Sequence, residues 1–314
     1  MFIDQEALKK ILDWNGLIQS IESVFETGCE MPMRHHHTID VTGQDDATLL
    51  LMPAWTQDGF LGVKLVNVFP SNGAVGLPSI HSLYTLSSAT TGERLAMMDG
   101  GELTARRTAA ASALASRFWS RADASTLLMV GTGRLALNLI EAHASQRPLN
   151  TVNIWGRRLV PLQELAQSVE ALGFTVNIFQ GDSIADAVKA SDIVSCATLS
   201  KEPLIKGAWL QPGTHVDLVG GFTPTMREAD DEAIRRSTVS VDTRTGAMKE
   251  AGDIVVPLET GILQPSDIAA DLYDLCRGGH KGRSSTDEIT LFKSVGAACE
   301  DLAGAMYAYQ KFRN

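Results

Sequence analysis

Thr126-Leu127-Leu128-Met129-Val130-Gly131-Thr132-Gly133-Arg134-Leu135-Ala136 is the stretch that decides the fold of this 314-residue chain. An apolar strand runs into a G-x-G-x-x-A turn, and the residues that follow, through Gln146, have helical periodicity. Gly131 permits the tight turn, and Gly133 lets a pyrophosphate approach the backbone. Ala136 allows the helix to pack closely on the strand. A helix N-terminus in that position offers unpaired N–H groups to an anion.

The pattern repeats outward. TVNIWG (151–156), FTVNIFQ (174–180), DIVSCAT (192–198), HVDLVGG (215–221) and TVSVDTR (238–244) read as strands. VPLQELAQSVEALG, SIADAVKAS and READDEAIRR read as helices between them. Strands alternating with helices predict a doubly wound parallel sheet, an α/β Rossmann-type domain, over residues 120–292. Upstream the texture differs. Residues 3–27 carry a helical apolar stripe, residues 38–98 read as a meander of short antiparallel or mixed strands, and the Ala-rich run to 119 as a helix. The last stretch, from Thr290, reads as one long amphipathic helix returning to the first domain. A discontinuous α+β domain of residues 1–119 and 293–314 is therefore expected, the chain being long enough for two cores.

Composition excludes several function classes. With 27 basic and 37 acidic side chains the formal charge is 27 − 37 = −10, which argues against a general nucleic-acid or anionic-membrane binder. No apolar run approaches the ~18 residues of a membrane span, and the N-terminus lacks a leader pattern. Four scattered cysteines read as reduced thiols of a cytoplasmic protein.

The second strand selects the dinucleotide. An NAD-specific domain places an acid about 20 residues beyond the glycines; here Trp155-Gly156 is followed by Arg157 and Arg158. Paired guanidinium groups suit a 2′-phosphate, so NADPH is the preferred cofactor, with NADH possible. Ser195, Cys196, Ala197 and Thr198, and Val219, Gly220 and Gly221, sit at the C-terminal ends of strands, where ligands of such sheets collect. Cys196 reads as a small residue lining the cofactor cleft.

The first domain offers Arg34, Lys64, Ser79, His81 and Arg107. Lys64 interrupts an apolar strand, an expensive place for an ammonium unless it faces a pocket or partner. Of the adjacent Arg106 and Arg107, one can reach a site while the other stays solvated. Fixed guanidinium groups match carboxylates, so an acidic substrate is indicated. His35-His36-His37 alternate faces if extended and have no Cys or acid cluster beside them, so no metal is assigned.

Gly62-Val63-Lys64-Leu65-Val66-Asn67, Pro70-Ser71-Asn72, Leu103 to Ala110, the Gly131 fingerprint and Phe292-Lys293-Ser294-Val295-Gly296 together resemble the ornithine cyclodeaminase/μ-crystallin family. The likeness implies a central NAD(P) domain, to which Ser294 contributes, and a substrate-binding domain that also builds a homodimer. It further implies that Lys64, Arg107 and Arg34 bind substrate and that Ser79 stands where cyclodeaminases carry Thr. Two departures matter. Where those enzymes keep a glutamate beside the Met-Pro motif this chain has Leu51, and where they keep an aspartate after the paired glycines it has Phe222. The resemblance therefore points to the family's cyclic-imine reductases, with Δ1-pyrroline-2-carboxylate as first substrate and L-proline as product. The proton donor stays open among solvent, Ser79, His81 and Lys64. Δ1-piperideine-2-carboxylate, alanine/pyruvate, ornithine cyclisation and NADPH-dependent ligand binding without catalysis stand as alternatives.

Overall fold

The computed structural model describes residues 1–313. Met1–Arg107 with the chain from Ala297 on forms one compact unit, and Thr108–Gly296 forms the other. The divisions thus fall after Arg107 and Gly296 instead of near 119 and 292. The C-terminal half of the Ala-rich helix belongs with the second unit because Arg147 donates to the Ser116, Arg117 and Ser120 carbonyls.

The first unit contains β1 (Phe2–Ile3), α1 (Gln5–Ile11), α2 (Trp14–Thr27), β2 (His35–Ile39), β3 (Ala47–Trp55), β4 (Phe60–Val68), β5 (Ile80–Ser88) and β6 (Arg94–Asp99). α3 (Gly100–Trp119) begins in it, and its last helix is described below. The N-terminal stripe is two helices rather than one. The Asp13 carboxylate accepts from Gly16 N at 2.9 Å and caps a new helix at Trp14, and Phe2–Ile3 pairs parallel to β6. The sheet order is β1-β6-β5-β4-β3-β2, antiparallel from β6 onward. Pro53 fits because β2 pairs only as far as Leu51, so no ladder bond is lost there. One sheet face buries Met52, Ala54, Val66, Tyr84, Leu86 and Met98. On the other, Leu51, Val63, Leu65, Leu83 and Met97 stay half-exposed or exposed.

The second unit contains β7 (Thr126–Val130), α4 (Ala136–Ala144), β8 (Thr151–Trp155), α5 (Leu159–Glu170), β9 (Thr175–Phe179), α6 (Ile184–Lys189), β10 (Ile193–Cys196), β11 (His215–Leu218) and α7 (Asp231–Arg236). β12 (Thr238–Val241), α8 (Arg244–Glu250), α9 (Gly252–Glu259), β13 (Ile268–Asp271), α10 (Leu272–Cys276) and β14 (Thr290–Lys293) follow. All eight strands are parallel, in the order β13-β12-β14-β11-β10-β7-β8-β9. The chain reverses direction across the sheet between β7 and β10, the switch point where ligands of doubly wound sheets bind.

The segment from Thr290 is not one helix. Thr290–Lys293 is a fully buried strand between β11 and β12, and the helix, α11 (Ala298–Arg313), starts after Gly296 at φ 81°. Buried parallel strands are apolar on both faces, so a four-residue piece such as Thr-Leu-Phe-Lys carries no alternation to separate it from helix. No described helix is long and apolar enough to cross a membrane.

Candidate functional site

In the second unit the Gly131 turn has the geometry its sequence implies. Gly131 takes φ 110°, and a Cβ there would lie 2.6 Å from the Ala197 carbonyl oxygen, so a side chain is excluded twice over. The loops after β7 and β10 therefore touch at the switch point. Around Gly133 the space is open for a group to approach the backbone, and no side chain caps the start of α4. Thr132, Arg134 and Leu135 complete this turn. These features fit a dinucleotide pyrophosphate.

At the end of β8, Trp155 is buried and donates from Nε1 to the Gly181 carbonyl at 3.0 Å. Arg157 and Arg158 are exposed just beyond it, and Arg157 reaches Ser200 Oγ at 3.5 Å. Ser195 and Cys196 differ from the expected cleft lining. The Ser195 hydroxyl donates to Asp217 Oδ2 at 2.7 Å inside the sheet, and Cys196 belongs to the hydrophobic core. Burial pushes the Cys196 thiol well up, so it has no nucleophilic character. Only the backbone of these two residues is left to face a ligand. Val219, Gly220, Gly221 and Ser294 are buried at neighbouring strand ends, with Ser294 N donating to the Leu218 carbonyl.

In the first unit Lys64 and Arg107 come together on two acids that the sequence reading did not single out. Lys64 Nζ lies 2.9 Å from Asp301 Oδ1 and 2.8 Å from Oδ2. Arg107 Nε donates to Asp301 Oδ1 at 2.7 Å and Nη1 to Glu300 Oε2 at 2.6 Å. All four side chains are buried. Burial pushes the Lys64 ammonium down to about 8 against the pull of Asp301, with Arg107 and Arg34 adding to the fall. Burial also disfavours the charged forms of Arg107 and Asp301, yet their mutual attraction outweighs it, raising the first and lowering the second. Lys64 and Arg107 are thus each held by a buried carboxylate, with the Arg34 charge felt at Lys64.

The pleat sorts the remaining candidates. Lys64 pairs with Tyr84 and Met52, so these three share a face, whereas His81 pairs with Asn67 on the opposite face and is exposed. Ser79 is exposed ahead of β5. Neither joins the Lys64 cluster through the sheet. Leu51 likewise pairs with Leu65 on the face away from Lys64; Leu50, opposite Val66, is the residue on the Lys64 side. Arg106 is not solvated: it donates to the Leu12 carbonyl, pairs with Glu102 and lies 4.8 Å from the Trp14 ring centroid. His35–His37 form the exposed edge strand β2, and no cluster of three metal-ligating side chains occurs among the described residues. Asp301 and Glu300 carried no sequence signal beyond two acids in an amphipathic helix.

A parallel doubly wound sheet whose glycine turn meets the switch point defines a dinucleotide-binding protein of Rossmann type, here carrying a buried cluster of two cations and two acids in its other unit. The ornithine cyclodeaminase/mu-crystallin family profile matches residues 3–314, and the chain belongs to that family. It is 40% identical to Protein SAR DEFICIENT 4 of Arabidopsis thaliana, over 99% of this chain and 97% of that one. It is 34% identical to a Δ1-pyrroline-2-carboxylate reductase of Paracoccus denitrificans, over 94% and 92%. The structure of the Thermococcus litoralis Δ1-pyrroline-2-carboxylate reductase, in complex with NADH and L-proline, superposes with a TM-score of 0.91 at 32% identity, covering 99% of this chain and 97% of that one.

Proposed function

We propose that this protein is an NAD(P)H-dependent reductase of a cyclic imine carboxylate, converting Δ1-pyrroline-2-carboxylate to L-proline, with NADPH preferred. The observation that carries the reading is the buried Lys64–Arg107–Asp301–Glu300 cluster, two cations fixed in place by two acids, in a chain that also has a dinucleotide turn. The named reductase relatives support the same substrate.

Arg107, Lys64 and Arg34 hold the substrate carboxylate. Asp301 and Glu300 fix the two buried cations so that they need not reorganise on binding, a source of rate through positioning. The bound nicotinamide supplies the hydride that the imine carbon accepts. The imine nitrogen takes one proton, so C=N becomes CH–NH. Lys64 is the group best suited to deliver it, since an ammonium near 8 gives up a proton at working pH more readily than an ordinary lysine. A homodimer formed through the half-exposed apolar sheet face of the first unit completes the reading.

The test follows the absorbance of the reduced nicotinamide with five- and six-membered cyclic imine carboxylates and with pyruvate plus ammonia. Faster oxidation with the five-membered imine supports the assignment. Turnover only with another substrate transfers it to that substrate.

A further inference from the structure

Three fully buried charged residues of the second unit lie outside the groups used above. Lys293 ends β14, Asp253 is the second residue of α9, and Glu228 precedes α7. Lys293 Nζ sits 3.4 Å from Asp253 Oδ2 and 4.0 Å from Glu228 Oε2. Glu228 Oε1 accepts from Thr198 N at 2.7 Å and from the Thr198 hydroxyl at 2.8 Å, while Oε2 accepts from Gly220 N at 2.8 Å. Asp253 Oδ1 in turn accepts from the backbone N–H groups of Glu228 and Ala229 at 2.8 and 3.1 Å. One carboxylate thus ties the loop after β10 to the loop after β11.

The loops are held at close quarters. A Cβ on Gly220 would lie 2.0 Å from the Thr198 carbonyl oxygen, and one on Gly221 would lie 2.9 Å from Asp253 Oδ2 and 3.4 Å from Lys293 Nζ. The paired glycines therefore rest directly on the charged cluster. Burying two carboxylates and one ammonium is costly, and apolar packing would hold a plain core loop as well or better. Burial pushes Glu228 up to about 7 despite the nearby lysine. A cost of this kind, placed where the strand ends of a doubly wound sheet meet their ligand, indicates that the conformation of these loops matters more than their stability.

We propose that Glu228, Asp253 and Lys293 are positioning residues that set the backbone of Thr198 and Gly220–Gly221 to receive the nicotinamide end of the cofactor. The inference rests on the cofactor reading given above and deepens it. The glycine turn at 131–136 and Arg157–Arg158 serve the phosphate and adenosine end, so disturbing the cluster should weaken one half of the ligand and spare the other.

The experiment compares wild type with Glu228→Gln, which is isosteric, and with Lys293→Met. Dissociation constants are measured by titration for the better of NADPH and NADH and for its nicotinamide-free counterpart, 2′,5′-ADP or ADP-ribose; thermal melting confirms that each variant is folded. Expected is a loss of about tenfold or more for the whole dinucleotide, with the fragment bound within about twofold of wild type. In steady state the cofactor KM should rise while the imine KM holds. Equal losses for dinucleotide and fragment, or no loss in either folded variant, would overturn the proposal. A wild type with no affinity for dinucleotide or fragment would remove the cofactor reading and this inference with it.

Discussion

Lys64 and Asp301, 237 residues apart in the chain, form a buried ion pair with Nζ within 2.9 Å of both carboxylate oxygens. Arg107 shares the same carboxylate. This shared acid sets the charge state of the whole cluster, and its consequences can be measured.

The first concerns pH. An ordinary lysine titrates at 10.5, and burial brings Lys64 down to about 8, so its ammonium is present below that value and lost above it. Reduction consumes a proton, and kcat for the imine should fall about tenfold per pH unit above 8. Lys64→Met should remove that limb. A limb seen in KM alone would make Lys64 a carboxylate holder and not the proton donor. Because the unfolded chain binds the extra proton between about 8 and 10.5, this group makes stability rise with pH across that window.

Asp301→Asn leaves two buried cations with one partner fewer. Removing one member of a buried pair costs about 3–5 kcal/mol, which denaturant unfolding would read. Asp301 is also the main charge holding the Lys64 value up, so the pH limb of the variant should move below 8. A limb unmoved in a folded variant would contradict the coupling.

Arg157→Ala with Arg158→Ala should raise the NADPH KM ten- to a hundredfold, corresponding to about 1.5–3 kcal/mol of charge-assisted contact, and leave NADH nearly untouched. Equal losses for both cofactors would remove the 2′-phosphate assignment.

L-Ornithine with NAD(P)⁺ should release no ammonia at a rate comparable to imine reduction. Leu50, on the Lys64 face of β3, offers no counter-charge to a second amine, and Phe222 stands where the resembled cyclodeaminases keep an acid. Burying that ammonium unpaired would cost several kcal/mol. Ammonia production matching imine turnover would show that other acids serve.

Leu65→Glu places a charge in the middle of the half-exposed apolar sheet face, 36% exposed as it stands. Sedimentation should show a dimer for wild type and a monomer for the variant. A monomeric wild type would leave that face without its proposed occupant.

The sequence by itself determined the parallel sheet, the glycine turn and the two basic residues, because each has a local signature: strand–helix alternation, a fixed glycine spacing, a lysine out of place in an apolar strand. Even the run after β8, with arginines where an acid is customary, was legible at that level. Other features were decided only in three dimensions. Thr290–Lys293 is a strand because β11 and β12 leave a slot between them, and a piece of four residues is too short to show a period of its own. Whether Leu50 or Leu51 shares a face with Lys64 depends on register, since a shift of one residue exchanges the faces of a strand. Asp301 and Glu300 became partners of Lys64 and Arg107, and Lys293 of Glu228 and Asp253, through contacts spanning tens to hundreds of residues. Ion pairing follows distance and burial, and the linear chain encodes neither until the backbone has closed around them.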